Sequence, residues 1–188
     1  MSDCHPVVYI IDEDARLRDM LCFHLRLQNT DVVGFGSFAG FSDHIREDSE
    51  ACLIADWRLY NSCAVRLQRS LTDMKSPPTI FMSDCAEISA AVAAMKAGAI
   101  EFLTKPVITS SVLSAVSMAL AEDRRLRHQS ASMLNLTRRL SVLTPREREV
   151  LPLVVTGYRN KQSASALGIT EITLQIHRRH IHAMPRHR

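Results

Sequence analysis

Four residue types suited to phosphoryl chemistry each follow a short apolar run in the first half of the chain. Asp12, with Glu13 beside it, follows Val7–Ile11. Asp56 follows Ala51–Ala55, Ser83 follows Thr79–Met82, and Lys105 follows Ile100–Thr104. If the carboxylates of Asp12, Glu13 and Asp56 share one place, each pair about 4 Å apart repels by roughly 4 kcal/mol at an effective dielectric near 20, so the cluster needs a cation. Hard oxygen donors favour Mg²⁺, which keeps part of its water shell and can bridge to a phosphoryl oxygen. In such a cluster Asp56 is the nucleophile toward phosphorus and forms an acyl phosphate. Mg²⁺ and Lys105 neutralise charge on the transferring group, and the Ser83 hydroxyl donates to one of its oxygens.

For these residues to meet, the apolar runs must be neighbouring parallel strands. Val7–Ile11, Asp31–Gly36, Ala51–Ala55, Thr79–Met82 and Ile100–Thr104 read as strands, separated by stretches of helical spacing such as Leu17, Met20, Leu21 and Leu25, or Val92, Met95 and Lys96. Asp84-Cys85-Ala86-Glu87 reads as a capping box before the second of these stretches, and Gly98 as its C-terminal stop. Strands alternating with helices predict an α/β fold, a doubly wound five-stranded parallel sheet. If its order is the flavodoxin-like 2-1-3-4-5, the first and third strands meet at the switch point, beyond whose carboxyl ends ligands bind, and Asp12, Glu13 and Asp56 then share one crevice.

The charge is divided along the chain. Residues 1–122 carry 10 Lys/Arg and 16 Asp/Glu, a net of −6, whereas residues 123–188 carry 13 and 4, a net of +9; together they give the overall +3. A basic half joined to an acidic one predicts two domains with different partners, the basic one facing a polyanion. A helical pattern runs from Thr109 towards Leu143. Counted by sevens, Val112, Ala119, Leu126, Met133 and Leu140 fall on one seam and Ala115, Leu136 and Leu143 on its companion, which Glu122 and Gln129 interrupt. A coiled coil and a connector packed on its own domain are both open at this point. Thr144-Pro145-Arg146-Glu147 then starts a helix with a cap, a proline at the first position and a glutamate three residues on. Residues 144–184 read as three helices, Pro145–Thr156 closed by Gly157, Lys161–Leu167 closed by Gly168, and one capped by Thr170, a small all-α helix-turn-helix domain.

The composition, 46% apolar and 23% charged over 188 residues, is that of a chain with a buried core and excludes collagen, general disorder and a small disulfide scaffold. No apolar run reaches membrane-spanning length and the first residues lack the layout of a signal peptide, so the expected location is cytoplasmic, with no membrane partner. Cys4, Cys22, Cys52, Cys63 and Cys85 show no metal-ligand spacing and read as reduced thiols.

The stretches VVYIIDEDARLRD, CLIADWR, TIFMSD and AVAAMKAGAIEFLTKP resemble the receiver domain of bacterial two-component response regulators, and the whole chain is similar to the FixJ/NarL type. The resemblance implies a receiver over 1–122, a long helix and linker over 109–143, and a LuxR-type DNA-binding domain over 144–188, carried by TPREREVL, GYRNK and ITEITLQIHRRHI. It implies that Asp12, Glu13, Asp56 and the Arg58 backbone carbonyl bind Mg²⁺, and that Asp56 accepts phosphate from a sensor histidine kinase. It makes Ser83 and Phe102 the switch residues and Lys105 the conserved lysine, with the Lys105–Pro106 bond cis. Phosphorylation then biases a two-state element and opens a homodimer surface on the fourth and fifth receiver helices. On the recognition helix Thr173, Gln175, Ile176, His177, Arg178 and Arg179 meet double-stranded DNA, with Gln175, Ile176 and Arg179 facing bases or nearby backbone and Lys161 a phosphate. His177, His180 and His182 are expected to face phosphates rather than a metal.

The chain also departs from the family. After Asp56, Leu59-Tyr60-Asn61-Ser62-Cys63-Ala64 replaces the usual Met-Pro-Asp…Gly, which alters the adjoining loop. Pro152 interrupts the first helix of the basic domain, Ser163 stands where a branched aliphatic is usual, and the sequence stops at Met184-Pro185-Arg186-His187-Arg188, where a fourth helix is usual. The expectation is an intact receiver and a marginal, truncated DNA-binding domain. Two further functions are open: a DNA-binding-deficient decoy or phosphate sink, and a haloacid-dehalogenase-like phosphatase. The latter also has an acidic run after an apolar strand, yet needs an acidic pair near Phe102–Pro106 that is not found.

Overall fold

The structure, a computed structural model, describes residues 5–39, 41, 44, 49–60, 76–84 and 88–183. Cys4, Cys63, Cys85, the Asp84–Glu87 capping box beyond Asp84, the Asn61–Ala64 loop and the Met184–Arg188 end lie outside the described residues. The chain divides into two compact units, residues 1–127 and 128–188.

In the first unit β1 (Val7–Ile11), β2 (Asp31–Phe35), β3 (Ala51–Asp56), β4 (Thr79–Ser83) and β5 (Glu101–Thr104) form one parallel sheet of order β2-β1-β3-β4-β5. This is the doubly wound α/β fold expected from the alternation. β1 and β3 are buried at every position, as central parallel strands covered on both faces must be. Their side chains alternate between two cores. Val8, Ile10, Cys52, Ile54, Ile80 and Met82 lie on one face. Val7, Tyr9, Ile11, Leu53, Ala55 and Phe81 lie on the other. Helix α1 (Ala15–Arg26) covers the first core with Leu21 and Leu25. It starts where the Asp14 carboxylate accepts the backbone N–H groups of Arg16 and Leu17 at 2.9 and 3.3 Å. Helix α2 (Ile88–Lys96) contributes Ala94 to the second core and ends before Gly98, whose φ of +90° favours glycine. The Lys105–Pro106 peptide is cis.

Helix α3 (Thr109–Val142) is continuous over 34 residues. The heptad seam divides along it. Val112, Ala115 and Ala119 are buried in the first core, so this part packs on its own domain. Leu126, Met133, Leu136 and Leu140 are exposed, between 40 and 64%. No helix among the described residues is long and apolar enough to cross a membrane.

The second unit holds α4 (Pro145–Val155), α5 (Asn160–Leu167) and α6 (Glu171–Ala183). The capping box at Thr144 is complete: its hydroxyl accepts the Glu147 N–H, and the Glu147 carboxylate accepts the Thr144 N–H at 2.9 Å. α4 runs through Pro152, which is exposed. Gly157 and Gly168 take φ of +79° and +64° at the two turns. The core is small: Val150, Ala164 and Leu174, with Val154, Leu167, Ile169 and Ile181 packed around them. Ser163 is fully buried beside Ala164, and its hydroxyl has no hydrogen-bond partner among the described residues.

Candidate functional site

The carboxyl ends of the strands converge on a cleft of about 510 Å³ lined by Asp12, Glu13, Asp14, Asp56, Arg58, Leu59, Asp84 and Lys105. Parallel register does this: β1 and β3 are hydrogen-bonded neighbours with Ile11 level with Ala55, so Asp12 and Asp56 emerge side by side. β4 pairs with β5, Ser83 level with Thr104, which brings Lys105 to the same edge.

Asp12 and Asp56 are almost wholly buried, at 1 and 3% exposure. The Lys105 ammonium lies 2.6 Å from Oδ2 of each. Asp56 Oδ1 accepts the Arg58 N–H at 2.8 Å and the Leu59 N–H at 3.4 Å. Burial would raise the Asp56 pKa, but the Lys105 hydrogen bond, the Arg58 N–H and the ammonium charge outweigh it and hold the carboxyl below its ordinary value. Burial likewise pulls Lys105 down, and the hydrogen bonds it donates to Asp12 and Asp56, with their negative charge, more than reverse it. Asp56 is therefore an anion and Lys105 a cation at neutral pH.

Asp12 Oδ1 accepts the Asp14 N–H at 2.9 Å. Its Oδ2 has the Lys105 ammonium, 2.6 Å away, as its one partner among the described residues. A buried carboxylate oxygen lining the cleft is a hard donor, and with Asp56 beside it the donor chemistry fits a small divalent cation such as Mg²⁺. Glu13 is an exposed part of the wall. Among the described residues no three acidic, His or Cys groups form a ready metal cluster; the ammonium already stands between the two buried carboxylates.

Ser83 is buried at the end of β4. Phe102 is half-buried in β5, its ring 6.1 Å from that of Trp57, the residue after Asp56, at 72°. Trp57 also meets Phe81 edge-on at 5.1 Å and stacks on Tyr60 at 5.9 Å. Three features of the site are not legible in the motifs. Arg58 pairs with Asp84 at 2.6 Å across the cleft mouth, Arg18 donates to the Asp12 carbonyl at 2.5 Å, and Trp57 packs on Phe102. Arg58 and Asp84 are 26 positions apart, and no periodicity links the ends of two different strands.

In the second unit Gln175, Ile176, Arg179 and Lys161 are exposed, the first three on one side of α6. Two expected DNA contacts are engaged within the fold. The Arg178 guanidinium donates to Asn160 Oδ1 at 2.7 Å, and the Thr173 hydroxyl lies 2.8 Å from that of Thr170. His177 is half-buried. His180 Nδ1 stands 3.5 Å from the Glu147 carboxylate, and His182 Nδ1 is 2.8 Å from the Arg178 carbonyl.

Comparison with known proteins supplies the family. Residues 8–117 match the response regulator receiver domain, and residues 141–183 match the bacterial regulatory proteins of the LuxR family. The chain is 35% identical to the response regulator protein TodT of Pseudomonas putida, over 96% of this chain and 80% of that one. It is 35% identical to nodulation protein W of Bradyrhizobium diazoefficiens, over 93 and 78%. Among solved structures, the response regulator StyR superposes with a TM-score of 0.80 at 35% identity, covering 95% of this chain and 90% of that one. Full-length FixJ from B. japonicum gives 0.56 at 28% identity, covering 93 and 87%. With these matches the dehalogenase-like reading is set aside. A receiver matching more than half of the chain, followed by a LuxR-type domain, makes this protein a member of the bacterial response regulators, a phosphorylation-controlled transcription regulator.

Proposed function

We propose that Asp56 accepts a phosphoryl group from a sensor histidine kinase and that the modified protein dimerises on DNA. The observation that carries this reading is the Asp12–Lys105–Asp56 arrangement, with the ammonium 2.6 Å from both buried carboxylates. Asp56, ionised and held by the Arg58 and Leu59 N–H groups, presents an oxygen to the cleft. As the acyl phosphate forms, the Lys105 ammonium follows the new charge from the carboxylates to the phosphoryl oxygens. Asp12, Glu13, Asp56 and the Arg58 carbonyl would hold Mg²⁺, which when bound would supply neutralising charge for the transferring group. Ser83 and Phe102 then carry the switch, the hydroxyl moving toward the phosphoryl group and the aromatic ring turning in the space it leaves. Lys161, Gln175, Ile176 and Arg179 meet duplex DNA, the arginine and lysine supplying affinity and the glutamine base discrimination. Partners of these kinds meet in the cytoplasm. The domain boundaries that suit this reading are 1–122, 109–143 and 144–188.

Acetyl phosphate with Mg²⁺ should add one phosphoryl group to the intact protein, read by mass, and Asp56→Asn should abolish it. The modified protein should shift to a dimer and bind its own gene's upstream duplex more tightly. A second reading, a decoy or phosphate sink, draws on the buried Ser163 hydroxyl, which has no partner among the described residues and weakens the small core. Phosphoryl uptake without any gain in duplex binding would select it.

A further inference from the structure

Ile172, Gln175, Ile176 and Arg179 stand at i, i+3, i+4 and i+7 on α6 and form one exposed stripe along the helix. The opposite side is anchored by Leu174, fully buried, and by Ile181 in the small core. Ile172 and Ile176, one turn apart, are 73 and 51% exposed. Two exposed isoleucines on a segment of net charge +9 call for an explanation, because a polyanion's phosphates offer an isoleucine nothing that water does not.

Duplex DNA does present one apolar group on its base edges, the 5-methyl of thymine in the major groove. Ile172 is the second residue of α6, at the end of a recognition helix that reaches base edges. Gln175 lies between the two isoleucines on the same stripe, and a glutamine pairs with adenine through two hydrogen bonds. The stripe is thus chemically matched to A·T pairs: amide to adenine, methyl-bearing side chain to thymine.

We infer that Ile172 is a specificity-determining residue that reads a thymine methyl beside the base met by Gln175. This rests on the DNA-binding reading above and deepens it. Its occupant is duplex DNA rather than a second protein chain, on the ground of the charge carried by the surrounding segment.

The test uses the full chain, treated with acetyl phosphate and Mg²⁺, to select duplexes from a random library. The enriched duplex is then resynthesised with uracil in place of each thymine in turn, which removes one methyl and no hydrogen bond. One such replacement should weaken binding about fourfold, the worth of one buried methyl group, and the same replacement should cost the Ile172→Ala variant almost nothing. If every uracil duplex binds as well as its parent, or if Ile172→Ala keeps the full sensitivity, the inference is overturned while DNA binding stands. If Ile172→Ala changes only the oligomeric state, the isoleucine serves a second copy and the inference is likewise overturned. If no duplex is enriched at all, the DNA-binding reading fails and the inference falls with it.

Discussion

Asp123 Oδ2 accepts the backbone N–H of Ala51 at 3.0 Å, tying α3 to the first residue of the strand that ends in Asp56. The same oxygen takes a 2.5 Å hydrogen bond from Arg127, and the neighbouring Arg124 grips Glu50 with two bonds of 2.6 and 2.7 Å. The two contacts differ in burial, so they differ in worth. Asp123→Ala strands a buried backbone N–H and should cost about 1–3 kcal/mol. Arg124→Ala breaks an exposed pair and should cost under about 1 kcal/mol. Urea unfolding of the two variants should rank them in that order; equal losses would show that Asp123 is not a buried anchor.

Lys105→Met removes the charge that separates Asp12 from Asp56 and leaves two buried carboxylates facing each other. Losing one partner of an enclosed pair costs about 3–5 kcal/mol, and the open cleft should reduce that to roughly 2 kcal/mol. A divalent cation can take over the ammonium's electrostatic role, so Mg²⁺ should raise the melting temperature of the variant more than that of the parent chain. A variant as stable as the parent in chelator would contradict the geometry.

The Thr144 N–H, then the Thr144 hydroxyl and the charges of His180 and His177, hold the Glu147 carboxyl below its ordinary 4.5. A depressed carboxyl contributes stability that is present above that value and disappears as pH falls through the lower, folded-state one. The second unit should therefore lose stability on acidification below about pH 4.5. Glu147→Gln keeps an oxygen for the Thr144 N–H but cannot titrate, and its acid limb should be flatter, as read by circular dichroism melts across pH.

Ser163 buries a hydroxyl with no partner among the described residues in a core of a few side chains. Ser163→Ala removes the desolvation cost and nothing else, and should stabilise the second unit by about 1 kcal/mol. A destabilised variant would mean that the hydroxyl has a bound water or a partner beyond the described residues.

The strands and the helices of both units were legible in the sequence because burial follows short periods. β1 and β3 are unbroken apolar runs, Thr144 to Glu147 spells its own cap, and Gly98, Gly157 and Gly168 mark turns that need positive φ. The chemistry-bearing residues were legible for the same reason, each sitting where an apolar run stops. Their meeting was not. Only parallel pairing puts Asp12, Asp56 and Lys105 within 2.6 Å contacts, and only the fold joins Arg58 to Asp84 and Asp123 to Ala51 across 26 and 72 positions. Tertiary structure also divided one heptad seam into a buried part and an exposed one, and engaged Arg178 and Thr173 within the fold while leaving Ile172 in the open. Local patterns record which residues leave water, through the repeat of a strand or a helix. Which of them then touch depends on strand register and helix packing, and those are set by contacts between segments far apart in the chain.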